Sequence, residues 1–498
     1  MFQLQHIIIH KHPVFGYADL DFRNNDLGEE TNGGIMTTVI IGKNGIGKSY
    51  LLRAIIDIFK TIDGFINTYD EASISDLPYK YSIQYYLNGH EYGISNIQKG
   101  LQSVGRNTPR SYHFTRDGQN VSWQEIQLPK TVIASSMTIA DKFPTPSVGI
   151  YKYRGVRSEK TPSTTGTRTI VRKAVEGIID SLANKHTTRE ELAELLSELG
   201  FQPHLEIRYK MHYKNVFLRS DMSPKLLQDI YTNWKSYFKG RSGEVWGAKY
   251  YRTLSKYPEK ISKICSFLRK TAEEGYFITR PLSYDVFDER NTLVADSEAI
   301  KILSNLDIIT FPEFKVFKEE KEEGYDFVNS SSGETQQLCQ FISIMSVINN
   351  DSLILIDEPE NSSHPNWQMN YVGWLQKIFR RYRNCHFLIA THSHFLLTDL
   401  HPDWSSIIAL DRVSDRLTNI TEGINTFCWS TDDILYRVFK VRNTRNYVFE
   451  SQMMKLYNYL SNREMSDPKA QELLEELKSY RLNDDDPLLE LIKMAENA

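Results

Sequence analysis

No window of about 18 uninterrupted apolar residues occurs in the chain, and the opening MFQLQHIIIHKHP has too short an apolar core for an export signal. Neither membrane insertion nor export is expected, and the chain is read as cytoplasmic. Cysteine is scarce. Cys265, Cys339, Cys385 and Cys428 stand too far apart for metal-binding pairs or a disulfide framework, as in a reduced cytosolic protein where such residues are buried small hydrophobes. An excess of one charge is lacking as well: 59 Lys and Arg meet 63 Asp and Glu, a formal net charge of -4. There is thus no overall basic field to steer nucleic acid, although a local basic groove is not excluded. What the chain does have is 40% hydrophobic, 12% aromatic and 24% charged residues over 498 positions. That composition rules out a largely disordered chain, and that length admits two or more packed units.

Phe2 to Ile9 alternate loosely as an early strand would, and Thr37 to Ile41 form a β-rich run before a glycine-rich turn followed by the helical pattern YLLRAIIDIF. Alternation at Tyr79 to Asn88 and Ser122 to Gln127, with the buried-looking TVIASSM at 131–137, makes 1–154 a mixed α/β lobe. Residues 155–320 read as a mainly helical insertion, with three- and four-residue spacing over 169–198 and a capping signal in TTREE. The run FKEEKEEG reads as a solvated connector. A second α/β portion, 321–449, carries SLILIDEPE and CHFLIATHSH, two apolar strands with polar tips, and 450–498 is again helical.

The chemistry concentrates in four places. Gly42-Lys43-Asn44-Gly45-Ile46-Gly47-Lys48-Ser49 satisfies G-x-x-x-x-G-K-S between a strand and a helix. In that context the glycines let backbone N–H groups converge on phosphate oxygens, Lys48 neutralises β/γ-phosphate charge and Ser49 can ligate magnesium. Asp357 and Glu358 follow LILI, where the first is placed for a metal and the second as a base for water; a helix cap or a surface ion pair is the other use of such acids. His392, after HFLIA, can donate through one ring nitrogen and accept through the other; His394 competes for the role, and His364 and His401 add no zinc spacing. Ser331, Gly333 and Glu334, in SSSGE before an apolar helix, suit either a phosphate-holding helix start or a plain cap.

In this order, GKNGIGKS, SSSGE, LILIDEPE and IATHSH resemble the ATP-binding-cassette (ABC) ATPase head of SMC-like repair proteins and prokaryotic defence ATPases, well over 1–60 and 325–410 and loosely between. The resemblance implies an α/β ABC-type head with a mainly helical insertion and a helical C-terminal region, a Mg-dependent ATPase with ATP and Mg2+ as cofactors. Asn44, Gly45, Gly47, Lys48 and Ser49 then bind nucleotide, Ser49 and Asp357 hold magnesium, and Glu358, Lys48 and His392 are catalytic. Ser331, Gly333 and Glu334 match the signature loop that reaches the γ-phosphate bound by a second copy, so that ATP is sandwiched in a homodimer, with higher oligomers open. The departures are Ser330 at the usual leucine position, Asn361-Ser362-Ser363-His364 in place of an aspartate-containing dimer loop, and no clear glutamine loop, for which Ser135, Ser136 and Asp141 are the candidates.

The finer texture, with SSMTIADKFP, YKYRGVRS, DEPENSSHP and GINTFCWSTDDILYRVF, looks like the ATPase subunit of Septu-type antiphage systems, including retron-associated variants. That likeness implies a separate HNH-type nuclease as partner, DNA or retron-derived RNA/DNA as a further ligand, and no membrane. Arg154, Arg157, Lys160 and Arg168, interleaved with Tyr151 and Tyr153, are the nucleic-acid candidates, with core packing plus a basic loop as the plain alternative. Leu474, Leu477, Leu489 and Ile492 are the positions for docking a nuclease, with intramolecular packing as theirs. A DNA-repair or chromosome-associated SMC-like ATPase, and a nucleotide-stabilised scaffold without turnover, are the competing functions.

Overall fold

The computed structural model describes residues 2–23, 34–68, 77–97, 112–157, 167–237, 246–278, 281–288, 290, 293–306, 308–414, 416–420, 424–441, 446–480, 482 and 488–497. By internal contacts the chain divides into two compact units, Met1–Ile434 and Leu435–Ala498. Among the described residues no helix is long and apolar enough to cross a membrane.

The first unit is built on a sheet of thirteen described strands. Their spatial order is Gln119–Asn120, His113–Arg116, His90–Ser95, Lys80–Leu87, Gln3–His12, Gly16–Asp21, Arg416–Asn419, Ser405–Val413, Met36–Gly42, His386–Ala390, Leu353–Asp357, Val132–Ser136 and Tyr151–Tyr153. From Ser405–Val413 to Tyr151–Tyr153 all neighbours run parallel. The strands at the middle of this run are largely apolar and buried on both faces: Val39, Ile40, Leu353 to Ile356 and Phe387 to Ala390 are all fully enclosed. The helix Lys48–Thr68 lies against them, with Leu51, Leu52, Ala54, Ile55, Ile58 and Phe59 buried and Arg53 left at the surface. At about 1.5–3 kcal/mol for each large apolar side chain removed from water, this layer is a major source of the unit's stability.

The mixed α/β fold with helical insertion and helical C-terminal region expected from the sequence is present, with two local differences. Ser122–Gln127 is not a strand. The Ser122 hydroxyl accepts from the Gln124 N–H while Glu125 returns to the Ser122 N–H, a reciprocal cap that turns the chain into a single 3-10 turn. Within the insertion, the helices Thr167–Ala183, Arg189–Glu198, Pro224–Thr232, Trp246–Leu254, Pro258–Glu273 and Leu293–Asn305 are joined by an antiparallel sheet of Leu282–Asp285, Phe201–Met211 and Ile309–Lys318, to which Tyr325–Asp326 adds from just past its end. Its long strand buries Phe201, Leu205, Ile207, Tyr209 and Met211, largely a period-two pattern. Thr188 caps Arg189–Glu198 through the capping box foreseen in TTREE, with Glu191 as the returning acid.

In the second unit Tyr447–Ser461, Pro468–Ser479 and Leu488–Glu496 enclose Met453, Leu456, Met465, Ala470, Leu474, Leu477, Ile492 and Ala495. Leu474, Leu477 and Ile492, offered by the sequence as docking positions, are thus spent on this unit's own core.

His386 opens its strand fully buried in the central sheet. Its Nδ1 accepts the Leu4 N–H at 3.1 Å, so the ring proton sits on Nε2, 2.9 Å from Thr38 Oγ1, and burial pushes the pKa down to about 3. The unfolded chain takes up a proton near pH 6.5 that the folded one refuses. This contribution is complete above pH ~6.5 and is lost as pH falls toward the folded value, about 2 kcal/mol by pH 5. Urea midpoints should therefore drop between pH 7.5 and pH 5 more for the wild type than for His386→Asn; equal drops would contradict neutral burial.

Candidate active site at the ends of the parallel strands

Register brings the candidate residues together. Ile40, Ala390, Asp357 and Ser136 pair across adjacent strands in one row, so the phosphate-loop turn, the acidic tip and the histidine loop all begin at the same level. Beyond the strand end, Gly45 and Gly47 take φ of 76° and 116°, backbone that a side chain disfavours, and a Cβ on Gly47 would sit 3.2 Å from the Phe15 ring. The turn then enters Lys48–Thr68, with the Leu51 N–H donating to the Gly47 carbonyl. Asn44 lies at this turn's outer side, exposed.

Lys48 is 4% exposed, and its ammonium donates to the Gly42 carbonyl at 3.0 Å and to His392, whose Nε2 is 2.6 Å away. Burial lowers its pKa, opposed by Glu358, Glu360 and Asp357. His392 Nε2 is also 3.1 Å from Glu358 Oε1. One ring nitrogen cannot serve both partners at once: unprotonated it accepts from Lys48, protonated it donates to Glu358. The ring thus stands between the cation and the acid.

Ser49 Oγ donates to Asp357 Oδ1 at 3.0 Å. Asp357 is 3% exposed and its pKa is pushed up to about 7, chiefly by burial, with the Ser49 hydrogen bond and Lys48 opposing and Glu358 and Asp141 adding. A hydroxyl and one carboxylate suit magnesium, which keeps most of its shell as water and phosphate oxygen. They do not suit a cage-bound metal, and among the described residues no group of three His, Cys, Asp or Glu is arranged for one. Glu358 has φ of 53° and donates its N–H to the Ala390 carbonyl at 2.8 Å, carrying the ladder one residue past Asp357. A non-glycine residue in this region, followed by proline, is a strained backbone at the chemical tip of a strand.

The other candidates fall as follows. Ser331 caps the helix Ser332–Met345: its Oγ accepts the Glu334 N–H at 3.3 Å, Glu334 returns to the Ser331 N–H at 3.2 Å, and Lys318 pairs with Glu334 at 2.5 Å. A Cβ on Gly333 would meet the Ser362 carbonyl at 2.7 Å, so only glycine lets this helix start lie against the loop after the acids. Ser135 Oγ accepts from Gln340, whose Oε1 accepts from Tyr371, and Ser136 Oγ bonds Thr138. Asp141 is engaged by Arg157 at 2.7 Å, the Tyr153 hydroxyl at 2.7 Å and the Phe143 N–H at 3.0 Å. His394 is half-buried against Phe395.

Tyr151 and Tyr153 are buried in the sheet and Arg157 is held by Asp141, so these rings are not available for stacking on bases. Lys160 and the Arg168 side chain lie outside the described residues. Sequence reasoning missed Glu360, whose Oε1 accepts the His392 N–H at 2.6 Å, and Gln368, which bonds both Ser393 and Ser363. Glu360 is the third acid of DEPE, and nothing in that run points to its partner.

The family profile described as "AAA domain, putative AbiEii toxin, Type IV TA system" matches residues 280–398. No curated protein matches the chain. Among solved structures, the SMC head domain from Thermotoga maritima is 11% identical, with 85% of this chain and 100% of that one covered and a TM-score of 0.34. The Smc head domain with an extended coiled coil, bound to the C-terminal domain of ScpA from Pyrococcus furiosus, is 11% identical over 89% and 100% of the chains, with a TM-score of 0.31. The SmcHead bound to the C-winged helix domain of ScpA is 8% identical over 84% and 97%, with a TM-score of 0.35.

Lys48→Ala should weaken binding of a nucleoside triphosphate by calorimetry, by roughly ten- to a hundred-fold if a charge-assisted contact of about 1.5–3 kcal/mol is lost. An unchanged affinity would remove Lys48 from the phosphate site.

Proposed function

We propose that the chain is a Mg-dependent ATPase of the ABC type, with 1–154 and 321–449 as the two parts of the head, 155–320 as its insertion and 450–498 as a packing or partner region. The observation that carries this is the meeting of Lys48, Ser49, Asp357, Glu358 and His392 at one strand end from segments more than three hundred residues apart. A nucleotide without chemistry would need the lysine and the loop; a strained, partly exposed glutamate beside a histidine is what hydrolysis adds.

In this reading the N–H groups from Asn44 to Ser49 and the Lys48 ammonium hold the phosphates. Ser49 and Asp357 hold magnesium, which when bound supplies positive charge beside the phosphate oxygens. Glu358 takes the proton of the attacking water, and His392, reaching both Glu358 and Lys48, orients that acid and the γ-phosphate side. Ser331, Gly333 and Glu334 face the nucleotide of a second copy, and the paired heads enclose ATP. Because Lys318 neutralises Glu334, this helix start can approach a phosphate without an unpaired acid on it.

For the setting of this activity, an SMC-like role in DNA repair or chromosome association is placed first. The sequence left Leu474, Leu477 and Ile492 open to nuclease docking and Tyr151 and Tyr153 to base stacking, with intramolecular packing as the alternative for each, and all five are taken up by packing. The toxin–antitoxin description of the profile over 280–398 favours the defence setting as second reading. Affinity capture from cells with identification of protein and nucleic-acid partners separates the two: an HNH nuclease or retron product supports defence, chromosomal partners the first reading.

Glu358→Gln should lower single-turnover ATP hydrolysis by roughly a hundred- to ten-thousand-fold with nucleotide affinity retained. Equal and negligible rates in wild type and variant would instead make the chain a nucleotide-stabilised scaffold. Ser331→Arg should abolish ATP-dependent pairing in analytical ultracentrifugation while leaving ATP binding by the monomer in place; pairing that survives the change would end the shared-site arrangement.

A further inference from the structure

Two bonds tie the acidic tip to the histidine loop. The first is the Glu358 N–H to the Ala390 carbonyl at 2.8 Å, the last bond of the parallel ladder between their strands. Past it the ladder stops: the Glu358 carbonyl accepts from the Asn361 N–H at 3.3 Å and from Asn361 Nδ2 at 3.1 Å, Thr391 donates its N–H to the Ile40 carbonyl at 3.0 Å on the other side, and the next main-chain donor of the histidine loop is the His392 N–H. That donor is met by the side chain of Glu360, whose Oε1 lies 2.6 Å away. Pro359, buried between the two acids, fixes the span from which Glu360 reaches across.

The loop is held from its other side as well. Gln368, on the helix Pro365–Phe379, accepts from Ser393 Oγ at 2.6 Å and donates to the Ser363 carbonyl at 2.8 Å. The residues flanking the His392 ring are therefore clamped at two points to the segment that follows the acids. Among the described residues, the ring's hydrogen-bonding contacts are with Lys48 and Glu358.

We propose that Glu360 is a positioning residue that acts through His392: by accepting the His392 N–H in place of a ladder carbonyl, it sets how far the imidazole reaches toward Lys48 and Glu358. Gln368 is the second arm of the same clamp. The proposal rests on the ATPase reading for its consequence in turnover, and on the geometry alone for the tether. A neutral acceptor serves an amide donor in the same place, so Glu360→Gln keeps the tether. Glu360→Ala removes it and leaves an enclosed N–H without a partner. Glu360→Asp keeps the carboxyl group but withdraws the acceptor by one methylene.

The test uses the full chain and two readouts. Deuterium exchange of the peptide containing Thr391 to His394 should speed up by roughly ten-fold in Glu360→Ala and Glu360→Asp and by less than about three-fold in Glu360→Gln. In turnover, Glu360→Ala should lower kcat by roughly ten-fold or more with the KM for ATP within about two-fold, and should add less than about two-fold in a His392→Ala background, because the two residues act as one unit. Exchange in Glu360→Ala equal to wild type would overturn the tether. A loss of kcat that is the same in both backgrounds would overturn action through His392. If Glu360→Ala does not fold, Glu360→Asp decides by the same two criteria. A wild type that binds ATP and never turns it over would sink the ATPase reading, while the exchange comparison would still decide the tether.

Discussion

Parallel pairing of four strands drawn from distant parts of the sequence is what everything else here depends on. Because Val132–Ser136, Leu353–Asp357, His386–Ala390 and Met36–Gly42 run side by side in fixed register, their ends form one edge, and each end leads into a different loop of the candidate site. With both faces enclosed, the apolar interiors do not choose the register by themselves; polar pairs do, Asp357 with Ser49 and His386 with Thr38. A slip of one residue would break both.

At that edge, three acids act on one buried ammonium, and the balance is uneven. Burial holds Asp357 toward its protonated form, which limits the negative charge gathered around Lys48. His392 adds a group that can change partners without moving far, since the same nitrogen reaches the lysine and Glu358. Charge at this edge is therefore arranged by proton placement as much as by side-chain position. An incoming phosphate would find the lysine already hydrogen-bonded and would have to compete with the imidazole for it.

Contiguous signals were legible and scattered ones were not. The phosphate loop, the acid pair and the histidine strand each compress their chemistry into a few consecutive residues, and their flanking apolar runs announce the strands that carry them. Glu360 was invisible because its partner is a backbone N–H on another strand's loop, and no spacing within DEPE encodes that. The tyrosines of YKYR alternate as they would in either a core or a stacking surface; only the sheet's far side decides, and it buries them. The small sheet of the insertion was overlooked although Phe201–Met211 alternates, because its neighbour Ile309–Lys318 lies about a hundred residues on and helical spacing dominates between them. Ser331 shows the cap in the structure, at a helix start whose acid is paired with Lys318, and the phosphate-holding reading stays a proposal.

The pairing order also has a consequence for how the chain is made. Met36–Gly42 is flanked only by His386–Ala390 and Ser405–Val413, and Met36 pairs with His386. On a ribosome adding roughly 5–20 residues per second, that strand waits roughly 20–70 s for its first neighbour to be translated. During that interval the nascent chain displays a β-branched, uncharged segment, MTTVIIG, of the kind that seeks another polypeptide's edge. The insertion's sheet draws its strands from residues 201–326 and can form meanwhile. Protecting one short strand until more than three quarters of the message has been read is thus a demand this topology places on the cell.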